Sequence, residues 1–251
     1  MGKLYCLLGK SASGKSTVER LLEKKGLKRI ISTTTRPIRE GEKEGVDYHY
    51  ISKDEFKALT NKDCLLENTE YRQWHYCIDK NFNQIDLQKY DYVCVIEPHG
   101  YQQLIQNLGK ENIIGIYIYV DDKERLLRSL HREIQPDCKE ICRRFLSDID
   151  LFDEIEDKVD YCIENKLVYD TVEKIYKIIS YNQPIIPIGT KVKIKQIKNS
   201  KKASRLTSKI DKIGYVYTNH IMLDGYRKYK ILFDNNETAY FFSSELELLS
   251  N

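Results

Sequence analysis

Residues 9 to 16 read Gly9-Lys10-Ser11-Ala12-Ser13-Gly14-Lys15-Ser16, the spacing G-x-x-x-x-G-K-S, and no other stretch constrains the fold as strongly. Ahead of it, the apolar run Leu4 to Leu8 predicts a short buried strand. Behind it, Val18, Leu21 and Leu22 share one face of a helix expected over Thr17 to Lys25. Strand, glycine-rich turn and helix N-terminus in that order build an anion site. The glycines let the backbone curl until successive N–H groups point inward, and the positive end of the helix dipole adds to them. Lys15 is expected to reach β- and γ-phosphates and the Ser16 hydroxyl to take Mg²⁺. Gly9, Ser11, Ala12, Ser13, Gly14, Lys15, Ser16 and Thr17 are thus the expected cradle of a nucleoside triphosphate.

Over the first 180 residues, strand and helix signals alternate. Tyr92 to Ile96 and Ile113 to Val120 are nearly continuous apolar runs, the mark of strands covered on both faces. Shorter strand signals fall at Lys28 to Ile31, Tyr48 to Ile51, Cys64 to Glu67, Trp74 to Ile78 and Tyr161 to Ile163. Ser52 and Glu55 form a capping box before a short helix. Further helices are predicted over Gln102–Leu108, from Asp121 or Asp122 onward with Leu126, Leu127 and Leu130 apolar, over Cys138–Ile155, and over Val168–Ile179. Residues 32 to 47 read as an irregular charged stretch. This alternation predicts an α/β fold with a parallel sheet covered by helices on both faces, and a ligand at the carboxyl ends of its strands.

Pro184 and Pro187 break the pattern, and a linker over 182–188 is expected. Beyond it the period changes to two: Lys191 to Lys195, Gly214 to Tyr217, Tyr229 to Phe233 and Thr238 to Phe242, with a tight turn at Asp234-Asn235-Asn236. A small all-β module over 189–251 is predicted, most simply a five-stranded barrel. The 251 residues carry a formal net charge of +3. From Pro184 onward 12 Lys and Arg stand against 6 Asp and Glu, and the rest of the chain has 29 against 32. Two modules of different electrostatic character follow. Lys198, Lys201, Lys202, Arg205 and Lys209 form a basic loop suited either to a protein partner or to nucleic acid. No apolar stretch approaches membrane-span length, and the chain opens directly on its first strand, so no leader is expected. Seven cysteines without a C-x-x-C pair predict free thiols in a reducing cytoplasm, with Cys6, Cys94 and Cys162 buried in strand-like runs.

A second constellation follows the first. Ser32-Thr33-Thr34-Thr35-Arg36-Pro37-Ile38-Arg39-Glu40-Gly41-Glu42 through Gly45-Val46-Asp47-Tyr48 puts two arginines three residues apart in a hydroxyl-rich stretch. Two guanidiniums so spaced can grip one phosphate bidentately, and Tyr48 adds a phenolic donor. The order of these residues resembles the guanylate kinase family, whose phosphate loop is followed by a serine and then T-T-R-x-x-R-x-G-E-x-x-G-x-D-Y. The resemblance covers about residues 3 to 180. It implies a nucleoside monophosphate kinase fold within a domain over 1–181, with an acceptor-binding subdomain over about 32–80 and a lid over about 125–150. It also implies ATP as donor, Mg²⁺ as cofactor, and GMP or dGMP as acceptor. Arg36, Arg39, Tyr48 and Tyr76 would then hold the acceptor's α-phosphate, Ser32 and Glu67 would read guanine, and Glu42 and Glu97 would be further GMP-binding residues. A carboxylate at Glu67 makes chemical sense, since guanine N1–H and N2–H₂ are adjacent donors that adenine lacks. Arg132, Arg143 and Arg144 would close over the transferring phosphoryl, and Asn165 would lie near the donor nucleotide.

Departures from the family pattern are Cys77 and Ile78 after Tyr76, Glu97 in place of an aspartate, and the position of Pro37. Ile78 cannot hydrogen-bond a base, while Glu97 is placed to meet the base or a Mg²⁺-bound water. Two other readings remain: a kinase for another purine monophosphate, and a non-catalytic guanylate-kinase-like scaffold. In the expected C-terminal module, Tyr229 to Leu248 resembles small SH3-like barrels.

Overall fold

A computed structural model describes residues 2–39, 41–61, 64–71, 73–132, 135–182, 186–195, 207–221, 227–242 and 245–249. The chain divides into two compact units, Met1–Val172 and Glu173–Asn251. In order, the elements are β1 (Leu4–Leu8), α1 (Lys15–Lys24), β2 (Lys28–Arg29), β3 (Thr33–Thr34), β4 (His49–Tyr50), α2 (Lys53–Thr60), β5 (Leu65–Tyr71) and β6 (Trp74–Asp79). They continue with α3 (Lys80–Asn83), β7 (Tyr92–Val95), α4 (Pro98–Leu108), β8 (Ile113–Tyr119), α5 (Asp122–His131), α6 (Cys138–Leu151), β9 (Tyr161–Glu164) and α7 (Val168–Asn182). After α7 come β10 (Lys191–Ile194), β11 (Ile213–Ile221), β12 (Arg227–Phe233), β13 (Thr238–Phe241) and β14 (Leu246–Leu248).

The first unit is an α/β fold on a five-stranded parallel sheet of order β2-β7-β1-β8-β9. All five residues of β1 are fully buried, as a continuous apolar strand between two covered faces requires. Its register aligns Cys6 with Cys94 on one side and with Gly115 on the other. Because the chain leaves β1 between β7 and β8, the carboxyl ends of β1 and β7 open side by side at one edge of the sheet. Ligand clefts of such sheets form at that position.

A second sheet, of order β4-β3-β6-β5, departs from the simple alternation expected over this stretch. There β5 and β6 form an antiparallel hairpin outside the parallel sheet. Thr33 and Thr34, read as part of an irregular stretch, pair with β6 and β4 and are fully buried. A two-residue strand is too short to show a period, so only its partners reveal it. The capping box at Ser52 and Glu55 is complete in both directions and opens α2.

Two burial expectations need correcting. Leu127 is 39% exposed, whereas Arg125 on the same helix is only 2% exposed. The helix therefore buries a cation that its apolar periodicity did not reveal. Cys162 is also exposed, because β9 lies at the sheet edge and turns that side chain outward. Cys6, Cys64, Cys77 and Cys94 are buried, and all seven thiols are free.

The second unit holds a five-stranded antiparallel sheet of order β13-β12-β11-β10-β14. Val192, Ile194, Val216, Tyr229, Ile231, Phe233 and Phe241 form its core from alternate positions, the period-two pattern of the sequence. Lys198, Lys201, Lys202 and Arg205, with part of the expected linker, lie outside the described residues.

Candidate active site

The loop from Gly9 to Ser16 turns on conformations that side chains resist. Gly14 sits at φ 93° as the N-cap of α1, and a Cβ there would lie 2.4 Å from Asn165 Nδ2. Ala12 takes the left-handed region at φ 61°. No side chain caps α1 and its first turn carries no acid. The helix N-terminus therefore keeps its amides and its dipole for an anion. Lys15 Nζ donates to the carbonyls of Gly9 and Lys10 and so curls across the loop. Burial in the cleft wall is the main reason its ammonium is pulled down to about 8, with Asp148 and Glu97 pulling the other way.

The loop is held from behind. Asn165 Nδ2 donates to the Ser13 carbonyl at 2.7 Å, and its own Oδ1 accepts from Thr171 at 3.0 Å. Asp148 Oδ2 accepts from the Ser11 amide at 2.7 Å. The same oxygen takes Arg125 Nη1 at 3.0 Å, and a second Arg125 edge binds Asp122. Arg125 also donates to the Ser11 carbonyl and lies 4.7 Å over the Phe145 ring. A buried guanidinium with two carboxylates, a carbonyl and an aromatic face has its charge compensated. One network thus ties the phosphate loop to α5 and α6.

One cleft of about 390 Å³ opens from the loop. Gly9, Ser11, Lys15 and Ser16 line one end, and Arg36, Arg39, Tyr48 and Tyr76 line another wall. Arg36 is buried and makes two 2.9 Å hydrogen bonds to Glu42, while its guanidinium lies 5.4 Å from the Tyr48 ring centroid. Glu42 and Tyr76 hold the Arg36 guanidinium above its ordinary range, against the burial that would lower it. Glu42 also accepts from the Arg39 amide and the Tyr50 hydroxyl. Desolvation would raise the Glu42 carboxyl, but Arg36, the Arg39 amide and Tyr50 hold it down to about 2. Burial pushes the Tyr48 phenol up to about 12, so it stays a hydrogen-bond donor. Glu42, expected among the GMP-binding residues, is the counter-ion bonded to Arg36.

Ser32, Glu67, Thr69, Trp74 and Glu97 line the same cleft. A bulge in β5 between Leu65 and Glu67 breaks the alternation. Leu66 therefore joins the core while the next residue, Glu67, is only 6% exposed and still lines the cleft. Gly100 of α4 makes room for it, since a Cβ there would stand 2.8 Å from Glu67 Oε2. Burial first, and the charge of Glu97 second, push the Glu67 carboxyl up to about 8. Glu97 is raised too, chiefly by desolvation, with Lys15 opposing. Ile78 is fully buried opposite Glu67 in the hairpin.

Arg143 and Arg144 also line the cleft, both bonded to Glu140. The two arginines hold the Glu140 carboxyl well below its usual range. Arg132 instead lines a small neighbouring groove with Ser11, Ala12 and Arg144. Thr17 is exposed on α1. Asn165, expected near the donor nucleotide, spends both ends of its amide beneath the loop. Sequence reasoning missed Arg125 and Asp148, which lie 23 residues apart in two helices, and Thr69, which no motif marks.

A parallel sheet whose first strand feeds a glycine-rich phosphate loop, with paired arginines across one cleft, defines a P-loop phosphotransferase. A family model described as guanylate kinase matches residues 1–182. Guanylate kinase from Oceanobacillus iheyensis is 32% identical over 186 residues, 71% of this chain and 86% of that one. Guanylate kinase from a Wolbachia of Brugia malayi is 33% identical over 181 residues, 71% of this chain and 92% of that one. The crystal structure of guanylate kinase from Anaplasma phagocytophilum shares the fold with a TM-score of 0.57 and 24% identity, covering 73% of this chain and 87% of that one. The chain belongs to the guanylate kinase family. No helix among the described residues is long and apolar enough to cross a membrane.

Proposed function

We propose that the chain transfers the γ-phosphoryl group of ATP to GMP or dGMP. The observation that carries this reading is a single cleft lined by the phosphate loop, by Arg36 and Arg39, and by Ser32 and the buried Glu67. An oxygen of the acceptor α-phosphate attacks the γ-phosphorus. The bond to the β–γ bridging oxygen breaks, and ADP leaves with the electron pair. The attacking phosphate oxygen is already ionised, so no side chain needs to act as a strong base. Positioning and electrostatics supply the catalysis. Loop amides and Lys15 hold the donor, while Arg36, Arg39, Tyr48 and Tyr76 hold the acceptor. Arg143, Arg144 and Arg132 neutralise charge on the transferring group as the lid closes.

Mg²⁺ fits the donor set. The Ser16 hydroxyl and the Glu97 carboxylate are hard oxygen ligands in the same cleft, and such an ion takes only one or two ligands from protein when phosphates bind it. Bound there, it would supply charge neutralisation at the β- and γ-oxygens.

We assign the kinase domain to residues 1–181, a linker to 182–188 and an SH3-like barrel to 189–251, in a reducing cytoplasm where free thiols persist. The barrel's antiparallel sheet and basic charge suit a protein or nucleic-acid partner. The scaffold alternative is disfavoured by the presence of Lys15, Ser16, Arg36 and Arg39 together in the cleft. Steady-state ADP release with GMP and dGMP tests the reading, and absence of turnover with either overturns it.

A further inference from the structure

Guanine recognition by Glu67 needs an ionised carboxylate with both acceptor lobes turned to the base, and burial works against that ionisation. A carboxylate in such a place depends on what else donates to it. Thr69 is two residues along β5, on the same strand face, and lines the same cleft. Its side chain acts to lower the Glu67 carboxyl, against the burial and the Glu97 charge that raise it. The neighbours across the hairpin offer nothing equivalent. Ile78 opposite Glu67 is apolar and fully buried, and Cys77 is a buried thiol that burial keeps protonated. Gly100 approaches Glu67 with no side chain at all. Glu97, the other titratable group felt by Glu67, disfavours its charge.

We propose that Thr69 is a positioning residue for the acceptor base: its hydroxyl donates to Glu67 and fixes that carboxylate, charged, toward guanine. The inference rests on the guanylate kinase reading of this cleft. A hydroxyl has one donor. Once that proton is committed to Glu67, the carboxylate's remaining lone pairs are left for the N1–H and N2–H of the base. Thr69 touches neither phosphate, so its effect belongs to acceptor binding and to the pH at which binding sets in.

The test compares wild type, Thr69→Val and Thr69→Ser in one coupled ADP-release assay, with GMP and ATP varied separately from pH 6 to 9. Val keeps the shape and loses the hydroxyl. The expected result for T69V is a KM for GMP raised about 10-fold at pH 7, as loss of a hydrogen bond to a charged group implies. Its KM for ATP should be unchanged, and the fall of the GMP KM with rising pH should move to higher pH. T69S should restore both the KM and the profile. A T69V enzyme with wild-type GMP KM and pH profile overturns the inference and leaves the kinase reading intact. So does an unmoved profile with a lowered Tm, the mark of a purely structural threonine. A folded wild type with no GMP turnover overturns the functional reading and this inference with it.

Discussion

Lys15 and Glu67 are two charges the fold disfavours and the proposed ligands need. Burial lowers the Lys15 ammonium to about 8 and raises the Glu67 carboxyl to about 8. For Glu67 the sign is plain. A carboxylate raised in the folded state contributes stability below its unfolded value and loses it as pH climbs toward 8. Glu19, pushed up to about 7 mainly by burial on the inner face of α1, acts in the same direction. The unliganded protein should therefore lose stability between pH 5 and 8 while its KM for GMP falls, because only the ionised Glu67 accepts from guanine. Calorimetry and acceptor kinetics over that range check the two trends. Glu67→Gln should raise Tm at pH 8, by roughly 2–4 °C per kcal/mol of relieved desolvation, and abolish discrimination for guanine. Lys15→Ala should cut kcat by about 10²–10³-fold, the cost of a lost transition-state contact, with an unchanged circular dichroism spectrum. Arg39→Ala should chiefly raise the KM for GMP.

At the scale of elements, the phosphate loop depends on helices far away in sequence. Asp148→Ala would leave the buried Arg125 half-compensated, at a cost of about 3–5 kcal/mol. It would also free the Ser11 amide, so the KM for ATP should rise along with the loss of Tm. A double-mutant cycle with Arg125→Leu should show strong coupling between the two sites. This network also marks how far the sequence could be read. The loop itself was legible because its residues are contiguous, and the capping box at Ser52 because its partners are three residues apart. Arg125 was hidden inside an apolar helical pattern, where leucines at neighbouring positions suggested the buried face. The sequence motifs point to Asn165 and Glu42 as site residues, and the structure adds what each touches: Asn165 bonds the loop at Ser13, and Glu42 neutralises Arg36. A bulge at Leu66 decided which way Glu67 points, and a one-residue slip in a strand leaves no trace in composition. Thr69 carries no motif either, and only the hairpin register puts it on the strand face of Glu67.

At the scale of the whole molecule, the period and the charge of the sequence change near Pro184, while the chain divides into compact units between Val172 and Glu173, inside α7. A chain ending at Asn182 should keep kcat/KM for GMP within about threefold, as expected of domains with separate cores. Complete loss of activity in a folded truncation would show that the C-terminal unit belongs to the catalytic machinery. The central claim is tested most directly by coupled ADP release with ATP and Mg²⁺ against GMP, dGMP, AMP, CMP and UMP. The predicted result is turnover with GMP or dGMP and none with the other three. No turnover with any acceptor, from protein that still binds ATP, would contradict it and favour a scaffold that keeps its phosphate loop without using it.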